Sequence, residues 1–157
     1  MVRDATSKDG PDIAARRRWM SLLARAPVER LEDAFHSLSE TPAFVPLRKP
    51  EIGSVLVRAR AGGAGQRFNL GEMTVTRCSV RLPSGLVGHA YVAGRRPRSA
   101  ELAALFDALM QDPSHRDGLA RTLIEPLATE LDQARRLKVA KTAASKVTFF
   151  TMARGED

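Results

Sequence analysis

EMTVTRCSVRL, residues Glu72–Leu82, decides the fold. It is rich in β-branched residues and alternates in character, so it reads as a strand. Successive strand side chains point to opposite faces, which puts Arg77 and Arg81 on one face with Met73 and Val75. Upstream, SVLVRARA (Ser54–Ala61) has the same character, and Arg58 and Arg60 share a face. Downstream, Leu86–Ala93 follows across Pro83-Ser84-Gly85, a turn signal. Three strands with two connections predict an antiparallel meander. The connection Gly62–Gly71 (GGAGQRFNLG) reads as a loop. If the arginine faces of the first two strands coincide, four guanidinium groups converge. An anion, a partner's carboxylates or open water must then accept their charge.

Helical patterns flank the strands. From Pro11 to about Arg25, the apolar positions Trp19, Leu22, Leu23 and Ala26 fit one helical stripe. Pro27 suits the first position of a second helix, whose stripe is Val28, Leu31, Phe35 and Leu38, with Thr41-Pro42 as its stop. Pro42, Pro46 and Pro50 make a stiff connector around Phe44 and Val45. After Arg98, Ser99 is available as N-cap for a helix with Leu102, Leu105, Phe106, Leu109 and Met110 on its apolar side. Asp112-Pro113 ends it, a short helix spans His115–Ile124, and Pro126 restarts the chain as a helix striped by Leu127, Leu131, Ala134, Leu137, Ala140, Ala144 and Val147. The expected fold class is α+β: N-terminal helices, a central antiparallel β-meander and C-terminal helices. Residues 1–15 read as a disordered extension and 16–157 as one domain, a size at which one hydrophobic core suffices.

Charge is the most informative part of the composition. The chain has 25 Lys plus Arg against 18 Asp plus Glu, a net charge of +7, and 20 of the 25 are Arg. Between Ile52 and Arg98 lie eight arginines, no lysine and one acid, Glu72, so this block carries the whole net charge. Guanidinium forks hold carboxylates and phosphates in pairs and keep their charge when desolvated. Arg58, Arg60, Arg67, Arg77 and Arg81 are therefore candidates for anion binding or for an interface, against the plainer reading of a solvated basic face. Single-strand nucleic-acid binders interleave aromatics with such charges. Phe68 and Tyr91 are the block's only aromatics, which counts against a basic nucleic-acid-binding module, the alternative from another class.

No catalytic constellation emerges. Gly62, Gly63 and Gly65 form a glycine-rich loop without the lysine and Ser/Thr of a nucleotide P-loop, and it joins strand to strand. A connection that needs positive φ is the favoured reading. His36, His89 and His115 have no neighbour at ligand spacing, so no metal site is expected. His89 reads as the most internal of the three. Cys78, the single cysteine, reads as a small buried hydrophobe. Glu72 reads as an ion-pair partner for a neighbouring arginine, and Asp107 has no recognisable partner. One cysteine, no secretory core and no apolar run near 18 residues suggest a cytoplasmic protein. Phe149, Phe150 and Met152, close to the C-terminus, are expected to dock on a partner subunit or a second copy.

Several strings, in order, resemble one family. They are Arg18-Trp19-Met20-Ser21-Leu22-Leu23-Ala24, Ala59 to Phe68 (ARAGGAGQRF), Gly71-Glu72, Thr76-Arg77, Ser79-Val80-Arg81-Leu82, Asp107-Ala108-Leu109-Met110-Gln111, Leu123-Ile124-Glu125-Pro126-Leu127 and Phe149 to Gly155 (FFTMARG). The set resembles the PhnG family, the G subunits of the bacterial carbon–phosphorus lyase system for phosphonate breakdown. The resemblance spans residues 16–157. The polar N-terminal extension and the proline connector depart from the family pattern. The resemblance implies an accessory subunit of a two-fold symmetric core complex with H, I and J subunits. That complex takes part in making α-D-ribose 1-methylphosphonate 5-triphosphate from a phosphonate and a nucleoside triphosphate, with ATP as the usual substrate. It further implies a transferase complex, with no cofactor and no established catalytic residue in this chain. The family's iron–sulfur chemistry belongs to another subunit, and one cysteine cannot hold a cluster.

Overall fold

A computed structural model describes residues 13–62 and 64–144. Strand β2 (Arg67–Arg81) lies between β1 (Val45–Arg60) and β3 (Val87–Ala93) in a three-stranded antiparallel sheet, the expected meander. Two strands are longer than their sequence suggests. β1 begins at Val45 and runs through Pro46 and Pro50, so these prolines belong to a strand and not to a connector. An edge strand tolerates them because their missing N–H can face away from the ladder, and register shifts interrupt the pairing between Pro46 and Glu51. β2 begins at Arg67, inside the expected loop. Leu70 is an extra residue there, because Val57 pairs with Gly71 and Arg58 with Asn69. That bulge breaks the alternation that marks a strand.

Helices α1 (Ile13–Leu23) and α2 (Val28–His36) precede the sheet, with Pro27 as N-cap of α2. Helix α2 stops at His36, short of Thr41-Pro42. Helix α3 (Pro97–Gln111) follows the sheet, with Arg96 as N-cap and no side-chain cap. Ser99 is not the cap but a buried residue of the first turn. From Ser99 to Met110 every residue of α3 is buried except half-buried Glu101. A helix buried all round must be enclosed by other layers. The sheet packs on one side of α3, and α1, α2 and the next helix pack around the rest. β3 approaches it so closely that a Cβ on Gly88 would lie 1.9 Å from the Ala104 carbonyl oxygen. Ala100, Ala103, Ala104 and Ala108 make this approach possible, and Leu105 and Phe106 fill the centre of the core.

Asp112 caps helix α4 (Pro113–Leu119), which passes through a π-helical turn, Ala120–Ile124, into α5 (Glu125–Ala144). Pro126 does not restart the chain. The wider turn, in which Glu125 N–H reaches the Ala120 carbonyl, carries the helix past a residue with no N–H to give. Leu127 is buried and Leu131 half-buried, but every residue from Asp132 to Ala144 is exposed, including Leu137 at 65% and Val139 at 60%. The apolar stripe expected along α5 is thus covered only at its start. Among the described residues no helix is long and apolar enough to cross a membrane.

Candidate functional site

The sheet extends past its support. β3 ends at Ala93, opposite Val75, and the Gly94 N–H still reaches the Thr74 carbonyl at 2.8 Å, so from Met73 outward β2 pairs with β1 alone. Every β2 residue from Arg67 to Thr74 is exposed. The result is a two-stranded arm of roughly 25 Å, at about 3.3 Å per residue. An isolated two-stranded hairpin is marginal in water. This one also exposes Leu56, Phe68, Leu70 and Met73. Its tip turns through Ala61–Gln66, where Gly62 takes φ +57°. The Gly65 N–H closes the turn on the Ala61 carbonyl at 2.9 Å, and a Cβ on Gly65 would fall 2.5 Å from that oxygen. The turn thus requires Gly62 for its backbone angle and Gly65 for space, while Gly63 lies outside the described residues.

The register divides the five candidate arginines. Arg58 faces Asn69 and Arg60 faces Arg67, so Arg58, Arg60 and Arg67 share one face at the tip. Among the described residues none of the three has an ion-pair partner; Arg60 Nη1 reaches only the Gly65 carbonyl, at 3.4 Å. Arg77 lies on the other face, roughly 25 Å along the strand. It donates from Nε to Glu51 Oε2 at 3.2 Å, and Arg48 Nη1 reaches the same oxygen at 2.9 Å. Arg81 pairs with Val45, further still from the tip. The four-arginine convergence does not occur, because the pairing puts the two sets on opposite faces and at opposite ends. Arg67, read as a loop residue, joins Arg58 and Arg60 instead. Glu72 pairs across the ladder with Leu56 and forms no ion pair among the described residues; the acid that answers Arg77 is Glu51, one residue outside the basic block. Phe68 pairs with Ala59 and lies on the face opposite Arg58, Arg60 and Arg67, so aromatic and basic groups do not interleave on one surface.

Asp107 is the largest departure from the sequence reading. It is fully buried and accepts four hydrogen bonds. Oδ1 takes Trp19 Nε1 at 2.9 Å and Arg16 Nε at 3.2 Å; Oδ2 takes Arg16 Nη2 at 2.8 Å and the His89 backbone N–H at 2.9 Å. One carboxylate therefore ties α1, α3 and β3 together. Gln111 Nε2 adds a bond to the Val87 carbonyl at 2.8 Å. The signal was an acid enclosed by apolar residues in Leu105-Phe106-Asp107-Ala108-Leu109, since an acid is almost never fully buried unpaired. The sealed Asp107 carboxylate, with every acceptor position engaged, holds this junction together and is not free to meet a ligand.

The remaining candidates are local. His89 is not internal: its ring lies on the exposed side of β3, with Nδ1 2.9 Å from Ser79 Oγ. His115 pairs with Asp112 at 3.3 Å and His36 with Glu32 at 3.8 Å. Hydrogen bonds from Ser114 hold the Asp112 carboxyl below its ordinary range. The Arg98 guanidinium does the same for Glu32, and Arg18 for Glu125. Cys78 is buried as expected, and burial pushes its thiol up to about 11. Among the described residues no three His, Cys, Asp or Glu side chains are grouped to hold a metal ion. Phe149, Phe150 and Met152 lie outside the described residues.

Fold and site define a class: a small α+β domain built round one buried helix, with an arginine-tipped β-hairpin standing clear of the core. The chain belongs to the PhnG family, whose model, described as phosphonate metabolism protein PhnG, matches residues 14–155. It is 46% identical, over all 157 residues and the whole of both chains, to a Rhizobium meliloti (strain 1021) protein named Alpha-D-ribose 1-methylphosphonate 5-triphosphate synthase subunit PhnG. The strings around Trp19 and Asp107, far apart in sequence, meet at the Asp107 junction.

Proposed function

We propose that this chain is an accessory subunit of a cytoplasmic transferase complex. With H, I and J subunits, in two copies, it takes part in forming α-D-ribose 1-methylphosphonate 5-triphosphate from a phosphonate and a nucleoside triphosphate, usually ATP. The observation that supports this reading is the full-length 46% identity to a protein named as a subunit of Alpha-D-ribose 1-methylphosphonate 5-triphosphate synthase. In this reading the chain contributes contacts and no cofactor, and the chemistry proceeds on its partners. Its docking element is the hairpin arm. Leu56, Leu70, Phe68 and Met73 offer apolar area, worth about 25 cal/mol per Å² once covered. Arg58, Arg60 and Arg67 supply charge for an acidic rim on the partner surface. The terminal segment with Phe149, Phe150 and Met152 is a second docking element.

Reconstitution tests the reading. The partner subunits, purified with and without this chain, are given ATP and methylphosphonate, and the product is followed by phosphorus NMR. Product formation should require the chain. Full activity and normal assembly in its absence would overturn the proposal.

A further inference from the structure

β3 is an edge strand, and its outer edge is half sealed and half open. At the two ends of its ladder the Gly94 N–H reaches the Thr74 carbonyl and the Leu82 N–H reaches the Leu86 carbonyl. The even-numbered residues between them therefore turn their N–H and C=O groups toward β2, and the odd-numbered ones turn theirs outward. At one end the outward groups are taken. Asp107 accepts the His89 N–H, and the Val87 carbonyl accepts from Arg16 at 3.3 Å and Gln111 at 2.8 Å. Further along, the His89 carbonyl and the Tyr91 N–H and carbonyl have no partner among the described residues. An open edge of this kind is a template for another strand, and proteins ordinarily blunt or cover it. Beside it lies a groove of 240 Å³. Met20, Leu23 and Ala24 wall it on the α1 side, and Ala90 and Ala103 complete its lining. An edge strand next to an apolar, helix-walled groove is the arrangement that receives an extended segment as an added strand.

The chain carries a segment of the matching kind. VTFFTM, Val147–Met152, is β-branched and aromatic. Strand alternation puts Phe150 and Met152 on one side of it and Phe149 on the other. Helix α5 decides whose groove it fits. Glu125, its first residue, is held against α1 by Arg18 at 2.8 Å, so α5 starts beside the helix that walls the groove. Ala144 lies roughly 28 Å further on, at 1.5 Å per residue, and every residue from Asp132 to Ala144 is exposed. Phe150 is six residues past Ala144, a reach of at most about 21 Å. That is less than the way back along the helix, so the segment is presented to another molecule. We infer that Val147–Met152 of a second copy adds as a fourth strand to the open half of β3. Phe150 and Met152 enter the groove, and Phe149 lies beside the exposed Tyr91. The exchange is reciprocal, each copy giving one strand and receiving one, and closes as a two-fold dimer. It rests on the reading of the terminal segment as a docking element and supplies the surface that receives it.

The test is hydrogen exchange of the full-length chain, read amide by amide by ¹H–¹⁵N NMR, together with its mass in solution by light scattering. The Tyr91 amide should exchange at least about tenfold more slowly in the wild type than in Phe150→Asp. The His89 amide, bonded to Asp107, should stay protected in both and so reports that the fold is intact. Light scattering should give two chains per particle for the wild type and one for Phe150→Asp. Tyr91→Pro removes an N–H that the ladder does not use, which an edge strand tolerates, and should also give one chain per particle. Fast Tyr91 exchange in the wild type, or a wild-type dimer that persists in both variants, would overturn the proposal. Slow Tyr91 exchange in a single-chain particle would overturn it too, since the segment would then fill its own groove. Loss of Phe150→Asp from a complex captured through a partner subunit, with Tyr91 exchange as in the wild type, would overturn this receiving surface while leaving the terminal segment a docking element.

Discussion

Replacing Asp107 by asparagine changes one oxygen for an amino group and little else in shape. Everything around the carboxylate is a donor. Oδ1 faces Trp19 Nε1 and Arg16 Nε, and Oδ2 faces Arg16 Nη2 and the His89 N–H. Whichever way the asparagine turns, its NH₂ meets two donors and its oxygen can satisfy only the other two. The Arg16 guanidinium, 31% exposed, also loses its counter-charge. Removing one partner of a buried ion pair costs about 3–5 kcal/mol, and unsatisfied buried donors cost about 1–3 each, partly the same energy. A domain holds roughly 5–15 kcal/mol in all. At about 2–4 °C per kcal/mol for a chain of this size, the melting temperature should fall by roughly 10 °C. Thermal unfolding followed by circular dichroism measures this. Arg16→Met should be costly as well, and the double variant should lose much less than the sum, because the two changes break one interaction. A fall of less than about 3 °C in Asp107→Asn would refute the assignment of Asp107 as the junction of α1, α3 and β3.

Three further outcomes follow from the same geometry. Gly88→Ala puts a Cβ 1.9 Å from the Ala104 oxygen and 2.6 Å from the Ala108 nitrogen, so β3 must move off α3, at a cost of about 1–3 kcal/mol in denaturant titration. Asp112→Ala removes the α4 cap and should cost about 1 kcal/mol at neutral pH. The native Asp112 carboxyl titrates below its unfolded value, so the cap's contribution is present above the unfolded value and is lost as the pH falls through the folded one. Wild type and variant should therefore converge in stability in acid. Cys78, 2% exposed with its thiol raised to about 11, should resist iodoacetamide at pH 8 in the folded chain and react promptly in denaturant; fast labelling of the folded chain would contradict its burial.

The meander and the main helices were legible because each rests on a local pattern: alternation in Thr74–Leu82, a 3–4 spacing in Leu102–Met110, Pro27 at the start of α2. The arm's length was not. Pro46 and Pro50 mark a break in most contexts, and only an edge strand excuses them. Phe68-Asn69-Leu70-Gly71 loses its alternation to the bulge at Leu70. The site suffered most from what sequence does not encode locally. The identity of the basic block was readable, but which arginines meet depends on the β1–β2 register. That register puts Arg77 beside Glu51 and leaves Arg58, Arg60 and Arg67 together. Asp107 looked partnerless because its donors lie 88 and 91 residues away on α1 and 18 residues away on β3.

Docking through the hairpin arm is the central claim, and charge reversal at its tip tests it most directly. The chain carrying Arg58→Glu, Arg60→Glu and Arg67→Glu is co-expressed with its partner subunits, and the complex is captured through a partner. The three positions are exposed and have no ion pairs among the described residues to lose, so the variant should fold and melt as wild type. It should be absent from the captured complex, whereas Arg135→Glu, Arg136→Glu on α5 should be retained. Recovery of the arm variant at wild-type stoichiometry would contradict the account.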